Sequence, residues 1–271
     1  MFKDKIIWIT GASSGIGEAL AKQMAKAGAR LILSGRNVAA LERVAAACGG
    51  ANQHLILPFE TTDTAALSDV VDRAWAHFGH VDTLINNAGI SQRSLAVDTA
   101  PLVYQQIIDV DLMAPIALTQ LVLPRMVARN SGRLVFISSV AGKVGVPMRT
   151  AYCAAKHGLI GYADALRSEV AGHGIDVHVI TPGSVQTGVS RNALGADGTR
   201  RGVSDAAIDN GIPADKAAAT MIRAMARGER EIIVARGLER TMPRLRRLSP
   251  NKLFDMMAGL MAAGYAQKMK S

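Results

Sequence analysis

The sequence predicts an α/β fold: one parallel sheet of about seven strands with helices on both faces, in a single domain. Three observations predict it. Short apolar, β-branched runs alternate with segments of helical period along most of the chain, the pattern of right-handed βαβ units. Those runs are continuously apolar, as strands buried on both faces are. No linker-like shift in composition separates a second unit within the 271 residues, 49% of them hydrophobic, a length that suits one or two domains.

In chain order, the apolar, β-branched runs place strands at 5–9, 30–34, 52–59, 82–86, 133–138, 175–181 and 231–234. Helical period between them places helices at 15–27, 38–47, 64–78, 101–129, 151–171 and 213–226. The stretch 188–212 is rich in Gly, Asn, Asp and Arg without a clear period; it reads as a long loop of the lid or binding type. The resulting division is a sheet domain over 1–235, including that loop, and a C-terminal extension over 236–271.

The formal charge of +9 is uneven, because from Arg236 onward eight Lys or Arg stand against two acids. The basic balance therefore belongs to the extension. There, 236–247 is densely basic and 253–261 is apolar and helix-compatible. A basic patch beside a Met, Leu and Phe surface suits peripheral contact with anionic lipid. The plainer alternative is a C-terminal helix packed over the cleft or a sister subunit. Nucleic acid is not an expected partner, since aromatics are only 4% of the chain and do not interleave with the basic patch. The start has no signal-peptide pattern. No run of about 18 apolar residues is read, so no membrane-spanning helix is expected. Cys48 and Cys153, far apart in sequence, read as reduced cysteines of a cytoplasmic protein. No metal-ligand set is read.

Four motifs carry chemistry. Thr10-Gly11-Ala12-Ser13-Ser14-Gly15-Ile16-Gly17 follows the first strand. Small residues there allow a tight turn and close approach to a pyrophosphate at a helix N-terminus. The plainer reading is a strand-to-helix turn that needs glycine. Arg36-Asn37 closes the second strand, where an acid would hold an adenosine 2′-hydroxyl. An arginine there grips a 2′-phosphate instead, which favours NADP over NAD, or it is merely solvated. Asn87-Ala88-Gly89 lies at the carboxyl end of the fourth strand, where ligands bind in open α/β sheets, unless it is only a polar turn. Finally, Tyr152 and Lys156 are four apart on one helix face, and Ser139 ends the strand before them. An ammonium beside a phenol favours the phenolate, and such a tyrosine can exchange a proton with a carbonyl oxygen. Taken alone, a Tyr–Lys pair at this spacing is most often surface packing.

Together and in this order, the motifs resemble the short-chain dehydrogenase/reductase family, from Thr10 to about Thr187. The loop Ala196-Asp197-Gly198-Thr199-Arg200 and the closing 248–257 resemble its dehydrogenase/reductase member 7B-like branch. The resemblance implies a Rossmann-type, doubly wound fold. It implies a catalytic trio of Ser139, Tyr152 and Lys156. It implies cofactor turns at Gly11, Ser13, Ser14, Gly15, Ile16, Gly17, Asn87, Ala88 and Gly89, with Pro182, Gly183, Val185 and Thr187 at the nicotinamide. Glu60 stands where the family has an Asp near the adenine. Asp111, in Val110-Asp111-Leu112-Met113-Ala114, stands where the family has the Asn whose backbone carbonyl holds a water linking the lysine to solvent. Either that carbonyl suffices, or the carboxylate itself acts on Lys156.

The expected activity is NADP(H)-dependent interconversion of a ketone and a secondary alcohol, on a hydrophobic or lipid-like carbonyl. A 3-oxoacyl thioester reductase, a nucleotide-sugar epimerase or dehydratase, and a cofactor-binding protein without catalysis are the alternatives. The helices at 101–129 and 151–171 commonly pair in the family, which implies a homodimer or homotetramer.

Overall fold

A computed structural model describes residues 2–50 and 53–270, with side chains as far as Gln267. Met1, Ala51, Asn52 and Ser271 lie outside the described residues, so the strand expected over 52–59 is described only from 53, and the basic tail without the side chains of Lys268 and Lys270.

The chain alternates β1 (Ile6–Thr10), α1 (Gly15–Lys26), β2 (Arg30–Ser34), α2 (Val38–Ala47), β3 (Leu55–Ile56), α3 (Leu67–Phe78) and β4 (Thr83–Asn86). Helix α4 (Pro101–Ile108) continues through a π-helical turn, Asp109–Met113, into α5 (Ala114–Ala128). Next come β5 (Gly132–Ile137), α6 (Thr150–Glu169), β6 (Ile175–Pro182), β7 (Val185–Gln186), α7 (Ala206–Asp209), β8 (Ile212–Pro213), α8 (Ala214–Ala226) and β9 (Glu231–Val234). Three helices close the chain: α9 (Gly237–Leu248), α10 (Pro250–Ala262) and α11 (Tyr265–Lys270).

Seven strands form one sheet in the order β3-β2-β1-β4-β5-β6-β9, and every pairing in it is parallel. The chain winds outward from β1 to β3, then crosses back to β4. The strand order reverses between β1 and β4, and the crevice beyond their carboxyl ends is where such sheets take ligands. Each face buries its own apolar layer. Leu20 and Met24 of α1, Leu41 of α2 and Met221 and Met225 of α8 pack on one side. Val70 of α3, Leu118 and Val122 of α5 and Leu159 and Leu166 of α6 pack on the other. β1 is fully buried along its length, which is why its sequence shows no alternation.

Three differences from the sequence expectation have physical causes. The strand expected over 52–59 reduces to Leu55–Ile56, paired with Ile32 and Leu33 at the sheet edge. Beyond it the N–H groups of Leu57 and Phe59 still donate to Leu33 O at 3.0 Å and Gly35 O at 3.3 Å, so contact with β2 continues past the regular strand, and Pro58 sits on this edge where its missing N–H leaves no partner unpaired. The loop 188–212 carries the one-turn helix α7, and strands β7 and β8 flank it as a two-residue parallel pair; such pieces are too short to show a period. Helix α9 shows in the sequence only as a basic patch. It buries a single residue, Met242, so it leaves almost no apolar stripe to read.

A fourth difference corrects the expectation that no helix is long and apolar enough to cross a membrane. The continuous helix Pro101–Ala128 has 28 residues and meets that test by length and composition. The acids at 109 and 111 interrupt the apolar run in sequence but do not interrupt the helix. Its midpoint holds an acid fully buried within the protein.

Candidate active site

The crevice between β1 and β4 opens into a cleft of about 680 Å³. Of the site residues expected from sequence, every one except Gly17 lines it.

The floor at one end of the cleft is the Gly-rich turn. Gly11 has φ +64°, a left-handed conformation that favours glycine. Gly17 sits behind the turn, where a Cβ would strike the Gly11 carbonyl oxygen. Asn87 ties β4 to this turn: its side-chain amide donates to Thr10 O at 2.9 Å and Gly11 O at 3.2 Å. Thr10 Oγ1 in return accepts from the backbone N–H groups of Asn87 at 3.0 Å and Ala88 at 3.1 Å. Ser14, the N-cap of α1, makes no side-chain cap. The first amides of α1 thus lack that partner, and Gly15 and Ile16 face the cleft. A helix N-terminus in this state accepts an anion through amides and dipole.

Arg36 and Glu60 face each other at the rim, Arg36 Nη1 lying 3.4 Å from Glu60 Oε2, with both side chains substantially exposed. Asn37 caps α2, its Oδ1 accepting from Ala40 N–H at 3.0 Å. Arg43, which no local sequence signal marks, braces the turn from below. It donates to Ser13 O at 3.2 Å and to both carboxylate oxygens of Glu18 at 2.7 and 2.9 Å. The hydrogen bond from Arg43, assisted by Lys22 and opposed by burial, holds the Glu18 carboxyl at about 2.

Ser139, Tyr152 and Lys156 share the wall at the other end. Ser139 caps a 3₁₀ turn, Val140–Gly142. Its Oγ accepts from Ala141 N–H at 3.1 Å and donates to Pro182 O at 3.4 Å. Lys156 Nζ lies 5.7 Å from the centre of the Tyr152 ring and donates to Ile137 O at 3.2 Å. Ser138 fixes the helix below, its hydroxyl donating to Lys156 O at 2.9 Å.

Asp111 reaches this group with its side chain. It is fully buried, turned inward by the π-helical segment, which alters helical phase locally. Its Oδ2 lies 3.2 Å from Lys156 Nζ, outside hydrogen-bond geometry. Its Oδ1 accepts from Ile90 N–H at 2.8 Å. Burial raises the Asp111 carboxyl above its ordinary value, against the pull of Lys156 and the Ile90 amide. Burial works against the Lys156 ammonium too, but the Asp111 charge, Tyr152 and the contact with Asp111 outweigh it, and Lys156 is raised. Gly89 backs the pair: a Cβ there would lie 3.3 Å from Asp111 Oδ1 and 3.4 Å from Lys156 Nζ.

The loop 188–212 also borders the cleft, with Asn192, Leu194, Gly198 and Arg200 on it. It is anchored by Asp205, buried among arginines from three segments. Arg93 Nη2 lies 2.6 Å from its carboxylate, Arg149 Nη2 3.5 Å away, and Arg201 pairs with it closely. Gln92, fully buried, accepts the Ala151 N–H at 2.9 Å and so docks the start of α6. The sequence gives no signal for these contacts, because a buried polar residue in a loop looks like a solvated one. Among the described residues, no group of three or more His, Cys, Asp or Glu could hold a metal ion.

The model of the short chain dehydrogenase family matches residues 5–196. The chain is 38% identical over 263 residues to dehydrogenase/reductase SDR family member 7B of Bos taurus, spanning 94% of this chain and 81% of that protein. It is 39% identical over 259 residues to the SDR family protein 7-like of Drosophila melanogaster, spanning 94% and 79%. Among solved structures, a short-chain dehydrogenase from Streptomyces avermitilis matches with TM-score 0.77 at 26% identity, over 97% of this chain and 99% of that one. A short chain dehydrogenase/reductase from Burkholderia phymatum in complex with NAD matches with TM-score 0.81 over 93% and 95%; at 23% identity this is a likeness of fold.

Proposed function

The chain belongs to the short-chain dehydrogenase/reductase family, in the branch of its members 7 and 7B, and from that premise we propose that this oxidoreductase interconverts a ketone and a secondary alcohol with NADP(H). The observation that carries the proposal is the convergence of Ser139, Tyr152 and Lys156 on one end of a cleft whose other end is the open N-terminus of α1. On this reading 1–235 is the catalytic unit and 236–271 its extension.

The residues fit a nicotinamide dinucleotide. The uncapped α1 amides suit the pyrophosphate, Arg36 and Glu60 flank the adenosine end, and Val185 and Thr187 flank the nicotinamide end. When bound, the cofactor supplies or accepts the hydride, and the protein's part is orientation and proton transfer. Tyr152 exchanges the proton with the substrate oxygen. Ser139 holds that same oxygen through its hydroxyl. Lys156, kept as an ammonium, stabilises negative charge developing on the Tyr152 oxygen and would hold the ribose hydroxyls of the bound cofactor. Asp111 keeps Lys156 charged in a buried setting.

Following the loss of NADPH absorbance with ketones that span keto-lipids, steroids, 3-oxoacyl thioesters and small ketones tests the reading. Tight NADPH binding with no turnover of any of them would favour a cofactor-binding protein without catalysis. Val189, Leu194 and Ile208 of the loop line the cleft, which supports a hydrophobic carbonyl.

Arg36 carries the preference for NADP over NAD, because its exposed guanidinium can exchange Glu60 for a 2′-phosphate. Arg36→Ala is expected to raise KM for NADPH by about tenfold, near 1.4 kcal/mol, with little change for NADH. Equal effects on both cofactors would remove Arg36 from that role.

The extension also bears on location. Met242 and Leu253 are buried against the Val140 turn, which supports the reading that these helices cover the site. Leu248 and Phe254 remain exposed, and Arg246 stacks on Phe254 at 5.0 Å. That mixed surface supports peripheral lipid contact of an otherwise cytoplasmic protein. Sedimentation with anionic and neutral vesicles checks it: Arg246→Glu with Phe254→Ser is expected to abolish any preference for anionic vesicles, and a wild-type protein that stays in the supernatant with both sinks the idea. A homodimer or homotetramer through α4, α5 and α6 remains the expected assembly.

A further inference from the structure

The C-terminal extension reaches the cleft through one carboxylate. Glu239, in the first turn of α9, accepts two hydrogen bonds from Ser184: the backbone N–H donates to Oε2 at 2.7 Å and the hydroxyl to Oε1 at 2.6 Å. Ser184 sits between Gly183 and Val185, both of which line the cleft. The turn is held from other sides as well. Gly183 N–H donates to Val234 O of β9 at 3.0 Å, and Ser184 O accepts from Ile212 N–H of β8 at 2.9 Å. Glu239 supplies the charged contact. A carboxylate is acceptor-only and can serve both donors of one serine, and such charge-assisted bonds exceed neutral ones in strength.

Position 183 is matched to Glu239. A Cβ on Gly183 would strike Glu239 Oε2 and come within 2.9 Å of Ala235 Cβ. Helix α9 is seated independently of this contact, since Met242 of α9 and Leu253 of α10 pack with Val140 and Val144. Val140 follows Ser139, whose hydroxyl donates to Pro182 O. One helix therefore supports both the Ser139 turn and the segment 182–185.

We infer that Glu239 is a positioning residue for 182–185, through which α9 sets where the backbone of Gly183 and Val185 meets the nicotinamide end of the cofactor. The inference rests on the dinucleotide reading of the cleft. The adenosine end, at Arg36 and Glu60, makes no use of Glu239.

Calorimetric titration of the full chain with NADPH and with 5′-ADP, which occupies only the adenosine end, separates the two ends. Glu239→Ala is expected to weaken NADPH about tenfold and 5′-ADP less than about twofold, the loss of charge-assisted contacts at one end only. Glu239→Gln, which keeps an acceptor for the Ser184 amide, is expected to show a smaller change in the ratio of the two affinities. An unchanged ratio in Glu239→Ala, whether both ligands weaken equally or neither does, overturns the inference. Wild-type protein that binds neither ligand would overturn the dinucleotide reading itself, and this inference with it.

Discussion

Replacing Tyr152 by Phe is expected to lower turnover by about 10²–10⁴-fold, the range for a positioned proton donor, or roughly 3–5 kcal/mol of barrier. The fold should not change. Tyr152 packs against the buried cluster of Val103, Ile107, Ala151, Ala155 and Leu194, and phenylalanine keeps that ring. Only the hydroxyl on the cleft is lost. NADPH affinity, read by fluorescence, should therefore stay at the wild-type value while kcat falls. Undiminished turnover would show that another group gives the proton. Ser139→Ala should cost less if, as proposed, its hydroxyl orients the substrate oxygen and Tyr152 is the proton source.

The sheet was legible because burial on both faces writes itself as continuous apolar runs. β1, β2 and β9 fall within a residue of their expected bounds, and Val38–Ala47 falls where its period places it. The cleft was legible for a related reason. Glycines at 11 and 15 with positive φ and a Tyr–Lys pair one helical turn apart are local signatures, visible without knowing the fold. What was not legible depends on contacts across long sequence separations. Arg43 finds Ser13, Arg93 finds Asp205 and Ser184 finds Glu239, and in each case the partner lies 30 or more residues away. Nothing local distinguishes Glu239 from a solvated helix acid. The π-helical turn was hidden as well, because Asp111 within a helix-period run gives no sign of the phase change that buries it.

Asp111 is where that hidden geometry carries the largest stability effect. The sequence left open whether its backbone carbonyl alone mattered or its carboxylate acted on Lys156, and the side chain lies 3.2 Å from Nζ with both groups buried. Removing one partner of a buried pair strands the other charge, so Asp111→Ala is expected to destabilise the protein by about 3–5 kcal/mol in urea unfolding. Asp111→Asn keeps an acceptor for the Ile90 amide and should leave turnover within about tenfold, near 1.4 kcal/mol. The sign of its pH effect follows from Lys156. Burial opposes the ammonium, yet the Asp111 charge prevails and the folded value lies above the ordinary 10.5. Stability from that shift is complete below 10.5 and is lost only as pH rises through the folded value. In Asp111→Asn burial acts unopposed by that charge, the folded Lys156 value is expected to fall below the ordinary one, and stability is then gained, not lost, as pH rises through it. The wild-type advantage in thermal midpoint over Asp111→Asn should therefore be largest near pH 7 and narrow towards pH 11, a range set by the lysine's ordinary value. Parallel curves would mean that the two side chains do not share their charge in the folded protein, and that the family's backbone carbonyl is the only part of residue 111 that acts.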